Sequence, residues 1–389
     1  MSDTRCGCGS LPGREKVMLP SAPDASCCGS GPAAGPTTLP PLEQPFVIGT
    51  VETPAGPIPR VSSTLMWRDR WGMVKARWGI NRMDYAIAPG LYALGDPGPD
   101  SKVLVSANYK MSFDVLRSAL PGRDLWVLVL DTKGINVWCA AGKGTFGTEE
   151  MIERIEASGL NAVVSHRSLI VPQLGAPGVA AHAVKKRSGF AVHYGPIKAA
   201  DIPAYLDAGG KATAGMRLKD FPLRERAALI PVELVEAMKP AAIIAPILFL
   251  AGGLGGPAGF WAKALHDGVF AAAAFLIAVA AGTVVHPLLL PWLPGRAFST
   301  KGFTLGAVTA LVVLFLGSLD GSGWAGRVGW LAWLMIVPAV TAYLAMNFTG
   351  CSTYTSLSGV DREMRWALPM EAGMGLGGLV LWIASRWML

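Results

Sequence analysis

The chain has 389 residues, 51% hydrophobic and 16% charged, with a formal net charge of +7. Together with a mean hydropathy of +0.40, that balance excludes an ordinary soluble enzyme. The positive excess is spread along the chain, with no basic run interleaved with aromatics, and so speaks for the positive-inside bias of a membrane protein rather than for nucleic acid.

Residues 1–45 are rich in Gly, Pro and Ser, lack an apolar period and read as a disordered tail. Four of the six cysteines stand here, as Cys6, Cys8, Cys27 and Cys28. Reduced thiols in a flexible cytoplasmic tail are soft ligands for Hg(II), Cu(I) or Zn(II), although their spacing is not that of a zinc finger. A dispensable extension is the equal alternative.

Residues 46–239 alternate short apolar runs with amphipathic segments. Lys102–Ala107, Leu125–Asp131, Asn161–Ser165 and Phe190–Tyr194 read as buried strands. Ser112–Leu120, Thr148–Ser158 and Gly178–Arg187 read as helices, with Thr148 as N-cap and Gly159 as the terminating glycine. Such alternation implies a parallel sheet with crossover helices, hence a Rossmann-like α/β domain. Ligands of that fold sit beyond the carboxyl ends of the strands, which directs attention to the segment after Asp131.

A formal G-x-G-x-x-G occurs there at Gly142, Gly144 and Gly147, but eleven residues after the strand ends, too late for a dinucleotide fingerprint. A phosphate-binding G-x-x-x-x-G-K-[ST] loop fails because Val137 and Gly144 occupy the positions that need Gly and Ser or Thr. What remains is a short helical turn opened by Asn136 and closed near Gly142, carrying Trp138 and Cys139. A cysteine in the first turn of a helix has its thiolate favoured by the backbone dipole; a buried, inert cysteine beside a packing tryptophan is the plainer reading.

From Pro240 the charges thin out: residues 240–389 hold 12 of the 61 Lys, Arg, Asp and Glu residues. Five apolar stretches follow, Pro240–Ala262, Gly268–Gly295, Gly302–Leu319, about Gly329–Phe348 and about Ala372 to the C-terminus. Arg386 interrupts the last and is expected to snorkel to the headgroups. No Asp, Glu or Lys is expected at mid-span, which argues against a transporter. Lys and Arg concentrate before the first stretch and in the loops after the second and fourth, so the N-terminal domain is expected to face the cytoplasm, with the chain multi-pass in the inner membrane.

The motif Asn136-Val-Trp-Cys-Ala-Ala-Gly-Lys143 closely resembles the cap-helix motif of the corrinoid mercury-methylation proteins (the HgcA family), whose soluble domain is similar to that of the corrinoid iron-sulfur methyl carriers. The resemblance extends through Val105–Asp114, Gly144–Thr148 and Val163–Arg167, and returns at Asn347–Val360. It implies a methyltransferase that passes a methyl group from a corrinoid to Hg(II). The cofactor would be held with its own lower base displaced and Cys139 as the axial cobalt ligand, a soft donor suited to release of a carbanion-like methyl to a thiophilic metal. It further implies that Trp138 shapes the lower face of the ring, that Val137, Ala140 and Ala141 leave room for it, and that Gly142, Lys143, Gly144 and Thr145 support the cap. Ser106 and Asn108 would line the cofactor. By position alone, Gln173, Gly175 and Tyr194 would meet its edge or nucleotide tail.

The implied cycle needs a methyl-pterin donor or its methyltransferase and two electrons. Because the chain has no four-cysteine cluster pattern, those electrons would come from a separate ferredoxin-like iron-sulfur partner. Two rival readings are kept: a membrane-bound corrinoid methyl carrier with another thiol or metal acceptor, and a corrinoid-free membrane metal-binding or transport protein.

Overall fold

The core strand sequences are apolar at every position but Ser106. Val103–Ala107 and Leu125–Leu130 are buried throughout, as expected of central strands covered on both faces. In the computed structural model, which describes residues 38–255, 259–317, 323–348 and 357–388, they lie side by side in a seven-stranded sheet. The cysteines of the tail, Cys6, Cys8, Cys27 and Cys28, lie outside the described residues, as do Cys351 and most of the Asn347–Val360 motif.

The strands are β1 (Val47–Thr53), β2 (Gly56–Val61), β3 (Gly90–Leu94), β4 (Val103–Ala107), β5 (Leu125–Leu130), β6 (Ser168–Val171) and β7 (Ala191–Tyr194). Their order is β1-β2-β3-β5-β4-β6-β7. Around them pack α1 (Trp67–Arg77), α2 (Lys110–Ser118), α3 (Val137–Lys143), α4 (Thr148–Ala157), α5 (Leu160–Val163), α6 (Ala181–Ser188) and α7 (Ile202–Asp207).

The sheet is mixed, not parallel throughout. β5, β4, β6 and β7 form a parallel block, but β3 runs antiparallel to β5 and β1 antiparallel to β2. Only eight residues, Gly95 to Lys102, join β3 to β4, too few for the crossover of a dozen or more that a parallel connection requires. Within the parallel block β5 lies on one side of β4 and β6 on the other. The chain therefore reverses its winding at β4/β6, and a crevice opens beyond their carboxyl ends.

Two expectations shift locally. Asn161–Ser165 is not a strand: Gly159 in the left-handed region (φ 62°) starts the turn α5, and the strand follows as β6. Arg167 fixes that turn by donating to the carbonyls of Val164 and Asn161 at 2.8 and 3.1 Å. The valines are buried under α4, and a short apolar run gives the same signal for a buried turn as for a strand. Residues 38–44, read as tail, also pack on the domain: Thr38 N–H donates to Ala157 O at 2.6 Å, and Leu39 packs against the core.

Among the described residues the C-terminal part contains five helices long and apolar enough to cross a membrane, Leu223–Gly252, Phe260–Leu289, Phe298–Leu316, Gly323–Asn347 and Gly359–Ser385, here called spans one to five. Spans one and five begin well before Pro240 and Ala372 because charged turns continue the same helices. Span five consequently carries Glu371 near its middle, buried with neither carboxylate oxygen hydrogen-bonded among the described residues. His286 near the end of span two is buried in the same way. The expectation that no acidic residue lies mid-span thus fails. Arg386 pairs with Asp267 and donates to Gly252 O at 2.7 Å, joining the ends of three spans.

Candidate functional site

Beyond the β4/β6 switch lies a cavity of about 410 Å³. Its floor is formed by Val105 and Ser106 at the end of β4 and by Ile170 and Val171 at the end of β6. One wall is α2, through Met111 and Val115; another is the Gly195–Ile197 segment following β7. Leu229, on span one, also reaches it. Over this largely apolar space stands α3, presenting Asn136, Val137, Trp138 and Cys139.

The cap is held by its own sequence. Asn136 is the N-cap, its Oδ1 accepting the Cys139 N–H at 2.9 Å, and Gly144 (φ 80°) closes the helix in the left-handed region. The loop leading to it is clamped from β4. Asn108 Oδ1 accepts from Thr132 N, Thr132 Oγ1 and Gly134 N at 3.1, 2.8 and 3.0 Å, while its Nδ2 donates to Asp131 at 3.2 Å. Burial opposes ionisation of Asp131, but hydrogen bonds from Lys133 outweigh it and hold the carboxyl below its ordinary range.

Of the residues singled out in the sequence, Ser106, Asn136, Val137, Trp138 and Cys139 come together on the cavity. The others do not line it. Ala140 and Ala141 are buried against the sheet core, so their small size serves packing of α3 rather than room in the cavity. Asn108 positions the loop. Gly142 and Lys143 complete the last turn of α3, and Thr145 follows it with its hydroxyl 3.5 Å from Ala140 O. Gly175 packs against the Phe146 ring, where a Cβ would lie 2.4 Å from a ring carbon. Gln173 accepts from Arg217 at 3.0 Å, and Tyr194 donates to Val179 O at 2.7 Å. In both late segments the neighbour lines the cavity instead, Leu174 and Gly195.

Chemically the cavity is sparse. No Asp or Glu lines it, so nothing in its walls serves as a carboxylate general acid or base. Burial raises the Tyr109 phenol, which is therefore a neutral hydroxyl at neutral pH. Arg82 lies over the Tyr109 ring, 5.9 Å from its centroid. Cys139 is a free thiol, half-buried, with no side-chain hydrogen bond among the described residues. No group of three or more His, Cys, Asp or Glu able to hold a metal exists among the described residues. One soft donor facing an apolar space suits a metal that brings its own chelate, not a bare ion.

Residues 81–206, from the approach to β3 through most of α7, match a family model described as CdhD, the CO dehydrogenase/acetyl-CoA synthase delta subunit. Curated relatives include the acetyl-CoA decarbonylase/synthase complex subunit gamma of Archaeoglobus fulgidus, 31% identical over 128 residues, 32% of this chain and 27% of the relative. The subunit of the same name from Methanopyrus kandleri is 32% identical over 126 residues, again 32% and 27% of the two chains. That of Methanocaldococcus jannaschii is 33% identical over 97 residues, 24% and 20%. The match thus spans about a quarter of the length of these relatives. It contains the cap and nearly all of the cavity wall, and ends before the five apolar helices begin.

Proposed function

We propose that this chain is a membrane-bound, corrinoid-dependent methyltransferase, holding the cofactor under α3 and passing its methyl group to Hg(II) as substrate. Cys139 carries the reading: a half-buried thiol with no side-chain hydrogen bond among the described residues, lining a largely apolar cavity at the β4/β6 switch. The match of residues 81–206 to the CO dehydrogenase/acetyl-CoA synthase delta subunit family, with the similarity to decarbonylase/synthase gamma subunits, supports methyl carriage, and the Asn136–Lys143 motif supports the finer assignment to mercury.

A soft thiol at the edge of a largely apolar space is a donor set that suits such a group. When bound, a corrinoid supplies a cobalt centre that carries a methyl group. The chain supplies the rest. Cys139 would hold the cobalt through its sulfur and Trp138 would pack beside it, while Val105, Val137, Ile170 and Val171 would exclude water, which strengthens a polar bond formed inside. Ser106, buried beside them, is a polar handle for the ring's edge. Asn136 and Asn108 hold the cap and its loop in place. A ferredoxin-like iron-sulfur reductant and a methyl-pterin donor complete the proposed cycle, and the α/β part faces the cytoplasm.

The experiment is the visible and EPR spectrum of the purified full chain and of Cys139→Ala, with product analysis against Hg(II) and competing thiol acceptors. The expected result is a corrinoid spectrum whose axial signature changes in Cys139→Ala, with methylmercury formation abolished. Wild-type methylation by that variant would reject the ligand role. A colourless protein would favour a metal-binding or transport function. Methyl transfer to thiols in preference to Hg(II) would favour the second reading, a corrinoid methyl carrier with another acceptor.

A further inference from the structure

Residues 67–82 carry three tryptophans and five basic residues in close alternation, against the expectation that no basic run is interleaved with aromatics. Trp67, Trp71, Val74 and Trp78 follow one another at helical spacing and form one stripe along α1. They are 74%, 49%, 39% and 47% exposed, and the Trp67 and Trp71 rings stack with centroids 6.1 Å apart. The stripe lies opposite the buried face of Asp69, Gly72 and Ala76. By the same spacing Arg70 and Arg77 flank it on one side, Arg68 and Lys75 on the other. Among the described residues none of these four cations forms an ion pair.

The face cannot roll inward. Asp69, on its underside, pairs with Lys110 at 2.7 Å and with Arg117 at 2.8 Å, both on α2. The turn that ends α1 also touches span one: a Cβ on Gly79 would lie 3.5 Å from Val235 Cγ1 and 3.9 Å from Glu236 Oε1. Val235 precedes the uncharged run that opens at Pro240 by five residues, about 7 Å of helix rise. A bilayer has headgroup layers of roughly that thickness on either side of its hydrocarbon.

We propose that the Trp67–Trp78 face lies in the headgroup layer of the bilayer that the five spans cross, tryptophans at the acyl boundary and Arg68, Arg70, Lys75 and Arg77 on anionic lipid phosphates. Aromatic side chains at that depth, flanked by Lys and Arg, are what an interfacial helix requires. Because α1 is joined through Asp69 to α2, and Met111 and Val115 of α2 wall the cavity, the bilayer surface then fixes the cavity's height beside span one. The proposal rests on membrane insertion of the spans and not on the corrinoid reading.

The test uses the full chain in nanodiscs of phosphatidylcholine and phosphatidylglycerol, compared with Trp67→Phe/Trp71→Phe. The fluorescence lost in the variant is expected to be quenched by lipids brominated near the top of the acyl chain and to be insensitive to aqueous iodide. Exchanging Arg68, Arg70, Lys75 and Arg77 for Gln, or omitting phosphatidylglycerol, should lower the bromolipid quenching by about twofold or more. Iodide quenching without a bromolipid effect overturns the proposal, leaving a water-facing surface for an acidic protein. Insensitivity to both quenchers overturns it too, because the face would then be covered by a second copy. Flotation with the discs reports the spans separately; a chain that does not float removes the bilayer on which the proposal depends.

Discussion

Asn136 Oδ1 accepts the backbone N–H of Cys139 at 2.9 Å, so the residue that begins the cap helix also fixes the backbone that bears the thiol. Asn136→Ala removes the only side-chain cap of α3 and should cost about 1 kcal/mol. Hydrogen exchange of the Val137–Lys143 amides should quicken, and corrinoid content per chain should fall. Asn136→Asp keeps the acceptor and should restore both. Unchanged exchange in the alanine variant would show that packing of Ala140 and Ala141 alone holds the turn.

Asn108 supplies one acceptor oxygen to three donors of the Thr132–Gly134 loop. Asn108→Leu leaves the Thr132 and Gly134 amides without this acceptor, the Thr132 hydroxyl keeping Ile135 O at 2.6 Å; with Thr132 fully buried, it should destabilise the α/β part by about 3 kcal/mol. Asn108→Ser, with a shorter acceptor, should fall between. Denaturant unfolding followed by tryptophan fluorescence measures both, and equal stabilities for leucine and wild type would remove the clamp from the account.

The 3-10 turn Gln173–Gly178 meets the cap at Gly178, where a Cβ would lie 2.1 Å from Phe146 O and 3.1 Å from Ala141 Cα. Both are backbone atoms, so neither yields cheaply. Gly178→Ala should therefore cost about 1–3 kcal/mol and loosen α3. Gly98→Ala is the control: nothing lies within 4 Å of its added Cβ, and the effect should stay within about 0.5 kcal/mol. Similar losses in the two variants would contradict the close approach.

Asp69 is desolvated, but Lys110 and Arg117 overcome that and hold its carboxyl below the ordinary carboxylate value. A depressed folded-state value means that the unfolded chain binds the proton more readily. Its contribution to stability is thus complete above the unfolded value of about 3.9 and is lost as pH falls through the folded value. Wild type should lose stability as pH drops below about 4. Asp69→Asn should lack that part of the slope and, with Arg117 1% exposed and robbed of one partner, be less stable by about 3 kcal/mol at pH 7. A variant that keeps the full acid slope would assign it to other carboxylates.

Much of the candidate site was legible because its signals are local. Asn136 as a cap, Cys139 in the first turn and the strand ending near Asp131 all follow from residues within a few positions of one another. The misplacements also have a local cause. Gln173 and Tyr194 were named from their position after strands, yet Leu174 and Gly195 line the cavity: one residue exchanges the two faces of extended chain at the end of β7, and in the 3-10 turn that starts at Gln173 it rotates the side chain by a third of a turn. Arg82 and Leu229 reach the cavity from segments distant in sequence from the cap, and no motif marks them; Met111 stands within the Val105–Asp114 resemblance, but nothing local singles it out as a wall residue.

The sequence by itself determined the division into an α/β part and apolar helices, the wholly buried strands β4 and β5, and the cap turn. Hydropathy, run length and capping chemistry are properties of contiguous residues. Tertiary structure alone decided that β3 runs against β5, that β4 and β6 meet at the switch where the cavity opens, and that Glu371 and His286 lie buried among helices. Those outcomes depend on which distant segments pair and pack across the chain, where the balance is struck between loop length, burial and hydrogen bonding over the whole molecule.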